Sequence, residues 1–315
     1  MNHRVQAPPV LAVVGPTAIG KTALSLFLAH ALGGEVISVD SRLFYRGMDI
    51  GTAKPTPTER AGVPHHLIDI AAPDETVGLA QFCQLARDAI ANVHHRGRLP
   101  LLVGGTGQYV RAAVEGWTPP AVAPQPELRA ELEAVAEHQG PAALHARLAA
   151  LDPDAAARID PRNVRRVVRA IEVCTVTGTP FSALRTRIPP PYPILQIGLT
   201  MERAALYERA DRRVEAMMAA GLLEEVRRLV DAGYGWNLPS MSGLGYAQFR
   251  PYFEGHITLE EVATEIKHET HRFIRHQYNW FSLGDPHIHW FDGTNPNLYD
   301  EAATFVQEWL KGDKQ

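Results

Sequence analysis

Between residues 10 and 32 an apolar run, "VLAVV", leads straight into "GPTAIGKT" and then into "ALSLFLAHAL". A Gly-x4-Gly-Lys-Thr segment set between a strand and a helix is the strongest constraint in this chain. The strand must lie inside a parallel sheet, and the helix must start at the sheet's C-terminal edge. Across Gly15, Pro16, Thr17, Ala18, Ile19 and Gly20 the backbone can turn successive N–H groups toward one anion. The helix terminus adds partial positive charge there, and Lys21 adds a full one. Thr22 offers a hydroxyl to Mg²⁺. The loop therefore predicts phosphate binding without identifying the molecule that carries the phosphate. No Asn-Lys-x-Asp segment for reading guanine is present, so a cleaved nucleotide and a phosphorylated substrate both stay open.

Alternating patterns extend this start into an α/β fold. Apolar runs at 10–14, 35–39, 99–103 and 194–200 read as strands, and helical patterns fall at 22–32, 79–94, 202–231 and 258–281. The last opens on Thr258 with Glu261 three residues on, a capping box. Two proline clusters, "WTPPAVAPQP" and "IPPPYP", lack the backbone donors to continue a helix or an inner strand and read as paired hinges. Between them lie helical signals only, with Pro126 opening one helix and Asp160-Pro161 opening another that ends at Gly178. The expected architecture is a P-loop NTPase-like parallel sheet flanked by helices over 1–117 and 191–315, with an all-helical insertion domain at 118–190.

Candidate chemistry gathers at the expected strand ends. Asp40 closes the second strand and can serve as a Walker-B-like Mg²⁺ ligand, as a general base, or as a helix N-cap. The segment after it, "YRGMDIGTAKP", mixes an aromatic, charges, glycines and Lys54 without helix or strand period, which marks a binding loop. Thr106 in "GTGQY" presents a hydroxyl at the same edge. There Gly104, Gly105 and Gly107 serve either close substrate approach or a tight turn. Arg213 falls on or beside the apolar stripe of its helix and needs an anion, either a structural carboxylate or a phosphate.

Two helices carry cationic faces. Arg162, Arg165, Arg166 and Arg169 recur at i, i+3, i+4 and i+7, opposite Val164, Val167, Val168 and Ile171. Lys267, His268, His271, Arg272 and Arg275 gather on one side of the helix after Thr258. A one-sign stripe points to a polyanion more than to a solvated surface, despite a net charge of −4 over the chain. His268 and His271 lack the neighbours that would complete a metal site, and the two cysteines, Cys83 and Cys174, provide neither a disulfide framework nor a zinc knuckle. No apolar run is long enough to span a bilayer, and no signal peptide is read. A soluble cytoplasmic protein without membrane contact is expected.

"GPTAIGKT", "DSRLFYRGMDIGTAKP", "PHHLID", "GGTGQY", "DPRNVRRVVRAIEV", "PSMSGLGY" and "RHQYNWF" together resemble the tRNA dimethylallyltransferase family of bacterial type over nearly the whole chain. The resemblance implies transfer of a dimethylallyl group from dimethylallyl diphosphate to N6 of the adenosine 3′ to the anticodon, with Mg²⁺ as cofactor, tRNA as partner and a monomeric enzyme. It implies that residues 15–22 grip the donor's diphosphate, that Asp40 is the base, and that Thr106 and Arg213 complete the catalytic set with Thr17 placing the donor. By the same resemblance Ser41, Arg42, Leu43, Arg129, Arg166, Arg169, Gly245, Tyr246 and Gln277 line the tRNA side, where the cationic faces add Arg165 and Arg275. The competing readings are a P-loop kinase of a small metabolite, an isopentenyltransferase acting on free adenylate, and an RNA-binding module without catalysis.

Overall fold

The computed structural model describes residues 7–184 and 186–312. In chain order the first elements are β1 (Val10–Val14), α1 (Lys21–Leu32), β2 (Gly34–Ser38), β3 (His65–His66), α2 (Leu79–His95), β4 (Leu99–Val103) and α3 (Gly107–Val114). Next come β5 (Trp117–Thr118), α4 (Pro126–Gln139), α5 (Pro141–Leu151), α6 (Pro153–Ala156), α7 (Val164–Thr177), α8 (Phe181–Leu184) and β6 (Thr186–Arg187). The chain closes with β7 (Ile194–Thr200), α9 (Arg203–Ala219), α10 (Leu222–Asp231), α11 (Arg250–Phe253), α12 (Leu259–Trp280), β8 (Ile288–Asp292) and α13 (Leu298–Gly312).

Six strands form one parallel sheet in the order β3-β2-β4-β1-β7-β8. All five residues of β1 are buried, as a strand covered on both faces requires. Because β4 returns between β2 and β1 while β7 lies on β1's other side, the strand order reverses around β1, and ligand crevices open at the C-terminal ends of such strands. The loop after β1, Asp40 after β2 and Gly104 after β4 all emerge there. Val39 donates to Val103 O at 2.9 Å and Gly104 to Val13 O at 3.3 Å, which holds the three strand ends in register.

The chain divides into two compact units. The larger contains residues 1–78, 82–114 and 190–315, and the smaller contains 79–81 and 115–189. The larger has a core of Leu11, Val13, Leu24, Leu28, Leu101, Ile197 and Leu206 among others. In the smaller, Leu132, Leu144, Leu148, Val167, Val168 and Ile171 pack into a separate core. Within it β5, at the start of the first proline segment, pairs antiparallel with β6, just ahead of the second, with Glu115 bridging Trp117 Nε1 at 2.8 Å and Arg187 at 2.8 Å.

Three expectations about elements need correction. The helix carrying the arginine stripe begins at Val164, with Asn163 as N-cap accepting from Arg166 N, while Asp160 instead pairs with Arg162 outside the helix. Gly178 does end it, in the left-handed region at φ 65°. The single helix expected over 202–231 is two, because Gly221 (φ 97°) breaks the run between α9 and α10. Finally, β3 was not anticipated, since two residues cannot show a period of two.

Candidate active site

Gly15 (φ 137°) and Gly20 (φ 109°) take the backbone angles that fold the loop back onto α1, and Ala18 joins them at φ 62°. A Cβ on Gly15 would stand 2.7 Å from Leu199 O, so neither the angle nor the space admits a side chain. Lys21 donates its ammonium to Pro16 O at 2.7 Å. Burial, opposed by the charge of Asp40 and reinforced by Arg213, lowers the Lys21 pKa to about 8. Burial likewise lowers that of Arg213. Arg213 reaches Thr17 Oγ1 at 3.4 Å, and no carboxylate among the described residues lies within 4.0 Å of it. Two desolvated cations with one nearby carboxylate, Asp40, form an anion cradle.

Asp40 faces that cradle from the end of β2. Its Oδ1 accepts from Arg42 N at 3.0 Å and from Thr106 Oγ1 at 3.5 Å, the long limit of a hydrogen bond. A cleft runs from this point beneath the β2 and β4 ends. Lys21, Thr22, Asp40 and Arg213 line it together with the apolar Val36, Leu43, Ala53, Pro55, Ile68 and Val103 and the polar Ser25, Ser38, Thr52 and His65. Charged and apolar side chains thus share one cleft. The N-cap reading of Asp40 loses its helix: 41–44 form turns, with Leu43 N donating to Asp40 O at 3.2 Å.

Gln277 was expected on the RNA side, but it is 3% exposed. Its Oε1 accepts from Thr17 N at 2.8 Å and its Nε2 donates to Gly105 O at 2.8 Å, so it laces the phosphate loop to the loop after β4. This contact also accounts for Gly105, where a Cβ would collide with the Gln277 amide. Gly107 is pressed against the Trp280 ring, and Gly104 stands 2.7 Å from Val39 O when a Cβ is added, so close packing accounts for all three glycines.

Tyr246 and Gly245, also expected on the RNA side, are buried. Tyr246 is 1% exposed and donates its hydroxyl to Glu225 at 2.7 Å, while Gly245 is buried at φ 90° against Gly51. Leu43 belongs to the cleft wall, and Arg42 uses its guanidinium on Pro239 O at 2.7 Å. Ser41 is half-buried beside Asp40. Lys54, the basic residue of the aperiodic loop, is buried and braced by Asp49 at 2.6 Å, Asp69 at 2.5 Å and Tyr45 O at 2.7 Å. It organises the loop from inside.

The cationic stripe of α7 is thinned by a carboxylate on its own helix. Glu172, fully buried, binds Arg129 in two hydrogen bonds at 2.7 and 2.8 Å and Arg169 at 2.5 Å. Those bonds hold the Glu172 carboxyl down to about 2, against the burial that raises it. Arg169 donates further to Pro120 O and Val122 O. Arg129 and Arg169 therefore secure the proline segment, and Arg165 and Arg166 are the stripe's exposed arginines on the helix itself, while Arg162, exposed too, pairs with Asp160 ahead of it. On α12, Lys267 pairs with Glu215 at 2.7 Å and His271 with Asp211 at 2.8 Å, which leaves His268, Arg272 and Arg275 exposed. Among the described residues Arg275 reaches the Tyr207 hydroxyl, at 3.4 Å.

For a divalent ion the donor set is the hard oxygens of Thr22 and Asp40 beside an anion cradle, which suits Mg²⁺ shared with phosphate oxygens. No group of three or more His, Cys, Asp or Glu gathers as a metal site among the described residues. No described helix is long and apolar enough to cross a membrane.

A sequence model described as "IPP transferase" matches residues 43–283. The tRNA dimethylallyltransferase of Roseiflexus sp. (strain RS-1) is 57% identical over 96% of this chain and 99% of its own, and that of Roseiflexus castenholzii is 58% identical over 95% and 98%. Among solved structures, the full-length tRNA isopentenylpyrophosphate transferase of Bacillus halodurans is similar at TM-score 0.73 and 42% identity, covering 98% of each chain. A eukaryotic dimethylallyltransferase acting on tRNA shares the fold at TM-score 0.80, with 24% identity, 97% of this chain and 80% of that chain covered.

Proposed function

The chain belongs to the IPP transferase family, and on that premise we propose that it moves a dimethylallyl group from dimethylallyl diphosphate to N6 of the adenosine 3′ to the anticodon. It is a tRNA dimethylallyltransferase and therefore a transferase. The observation that carries the assignment of roles is the meeting of a cationic loop, a carboxylate and apolar side chains in one cleft.

The donor lies with its diphosphate on residues 15–22 and its hydrocarbon against Leu43, Val36 and Val103. As the allylic C–O bond breaks, negative charge grows on the departing diphosphate, and Lys21, Arg213 and the loop N–H groups stabilise that charge more than the ground state. The adenine N6 forms the new N–C bond and gives its proton to Asp40, which Thr106 and Arg42 N hold in place. Thr22 and Asp40 would hold Mg²⁺, which would supply positive charge to the leaving group. Gln277 keeps the loop and the Gly105 turn at a fixed separation during the reaction.

To present N6, the base must leave the anticodon stack. Arg165, Arg166 and Arg275 contact the RNA backbone. The enzyme is a cytoplasmic monomer in this reading. The test is incubation with labelled dimethylallyl diphosphate and, in parallel, tRNA, AMP or small-molecule acceptors with labelled ATP. Label in tRNA alone is expected. Label in AMP would support the adenylate enzyme, and γ-phosphate transfer from ATP would support the kinase.

A further inference from the structure

Glu225 lies in the first turn of α10, is 1% exposed, and forms no ion pair among the described residues. Its carboxylate is held by neutral donors alone. Asp49 N (2.9 Å), Ile50 N (2.8 Å) and Gly51 N (3.0 Å) converge on it, and the Tyr246 hydroxyl completes the set at 2.7 Å. Three successive N–H groups around one anion form a nest of the kind that binds phosphate, here filled by the protein's own side chain. Burial beside Glu225 raises the Tyr246 phenol, so it remains a donor.

What the nest holds is the segment that becomes the cleft wall. From Asp49 the backbone turns through Ala53 N to Ile50 O and Lys54 N to Asp49 O, both 2.9 Å, with Ala53 in the left-handed region at φ 48°. Thr52, Ala53 and Pro55 then line the same cleft as Lys21, Asp40 and Arg213. A Cβ on Gly51 would stand 2.5 Å from the Tyr246 ring, so the turn has no room to shift toward Tyr246.

We propose that Glu225, through its nest on Asp49, Ile50 and Gly51 and with Tyr246 behind it, is a positioning residue that fixes the Thr52–Ala53–Pro55 wall and thereby limits the length of the allylic chain the donor cleft accepts. The inference rests on reading this cleft as the donor site. Glu225 touches no substrate; it acts through the loop.

The experiment compares dimethylallyl diphosphate with geranyl diphosphate, tRNA being the acceptor, in the wild-type protein, Glu225→Gln and Tyr246→Phe. An amide at 225 turns N–H donors toward the nest's own donors and opens the turn. The geranyl-to-dimethylallyl ratio of kcat/KM is expected to rise about tenfold in Glu225→Gln and less in Tyr246→Phe. Inhibition by inorganic diphosphate and the KM for tRNA should stay within about twofold of wild type, since neither uses this wall. Equal losses with both donors, or a loss that follows only the folded fraction in a thermal melt, overturn the proposal. If Glu225→Gln does not fold, Tyr246→Phe decides, because it keeps the ring against Gly51 and removes one hydrogen bond; an unchanged donor ratio in it overturns the proposal. Wild-type protein that prenylates no tRNA from either donor would overturn the cleft assignment as well, whereas transfer with unaltered selectivity in the variants sinks only the role of Glu225.

Discussion

At the scale of single residues, the site works by placing charge where water has been removed. Lys21 illustrates this, since burial lowers it to about 8 before any diphosphate is bound. Below pH 8 it is already charged and contributes fully to donor binding. Above pH 8 binding must first take up a proton, so affinity for dimethylallyl diphosphate should fall by up to about tenfold per pH unit. Calorimetry between pH 7 and 10, with Lys21→Arg as the control that flattens the curve, checks this; a pH-independent affinity in the wild-type protein would contradict it. Asp40 has a different task. Asp40→Asn keeps the acceptor for Arg42 N but loses the base, so kcat should drop by about 10²–10⁴-fold with little change in tRNA affinity. Single-turnover rates alongside filter binding separate the two quantities, and a comparable loss in both would refute the role.

Among the elements, α7 shows how far a helical stripe can be trusted. Spacing alone puts Arg162, Arg165, Arg166 and Arg169 on one face, but the helix begins at Val164, so Arg162 lies ahead of it and only the other three share its surface. It could not register that Glu172, on the flank of the same stripe, is buried and draws Arg169 and Arg129 inward. The exposed pair should carry the electrostatics. Arg165→Ala with Arg166→Ala is expected to weaken tRNA binding and reduce its log-salt slope by roughly one to two units, as each lost phosphate contact removes about 0.7–0.9. An unaltered slope would show that this face does not meet RNA. The capping box of α12 was legible for the opposite reason, because Thr258 and Glu261 interact within one turn and need nothing distant.

For the molecule as a whole, two separate cores support the two units. Leu148 is fully buried in the smaller one, so Leu148→Ala should cost about 2–5 kcal/mol there. Urea unfolding followed by a probe within 115–189 measures it, and a loss below about 1 kcal/mol would mean the core is not packed as described. The phosphate loop, the strand-helix alternation, Asp40, Lys21 and the candidate Arg213 could all be read in the sequence because each depends on residues close in the chain or on a strand end whose position the parallel sheet dictates. Gln277, Tyr246, Glu225 and Lys54 could not. Each has a partner at least 15 residues away, as far as 260 for Gln277, and a polar or aromatic side chain has the same local signature whether it meets solvent or a distant backbone N–H. Local order and the kind of chemistry were therefore determined by the chain's own near-neighbour physics. Which polar groups were turned inward to brace the cleft was decided only when the sheet brought remote loops together, because a buried donor or acceptor must find its partner wherever the fold places one.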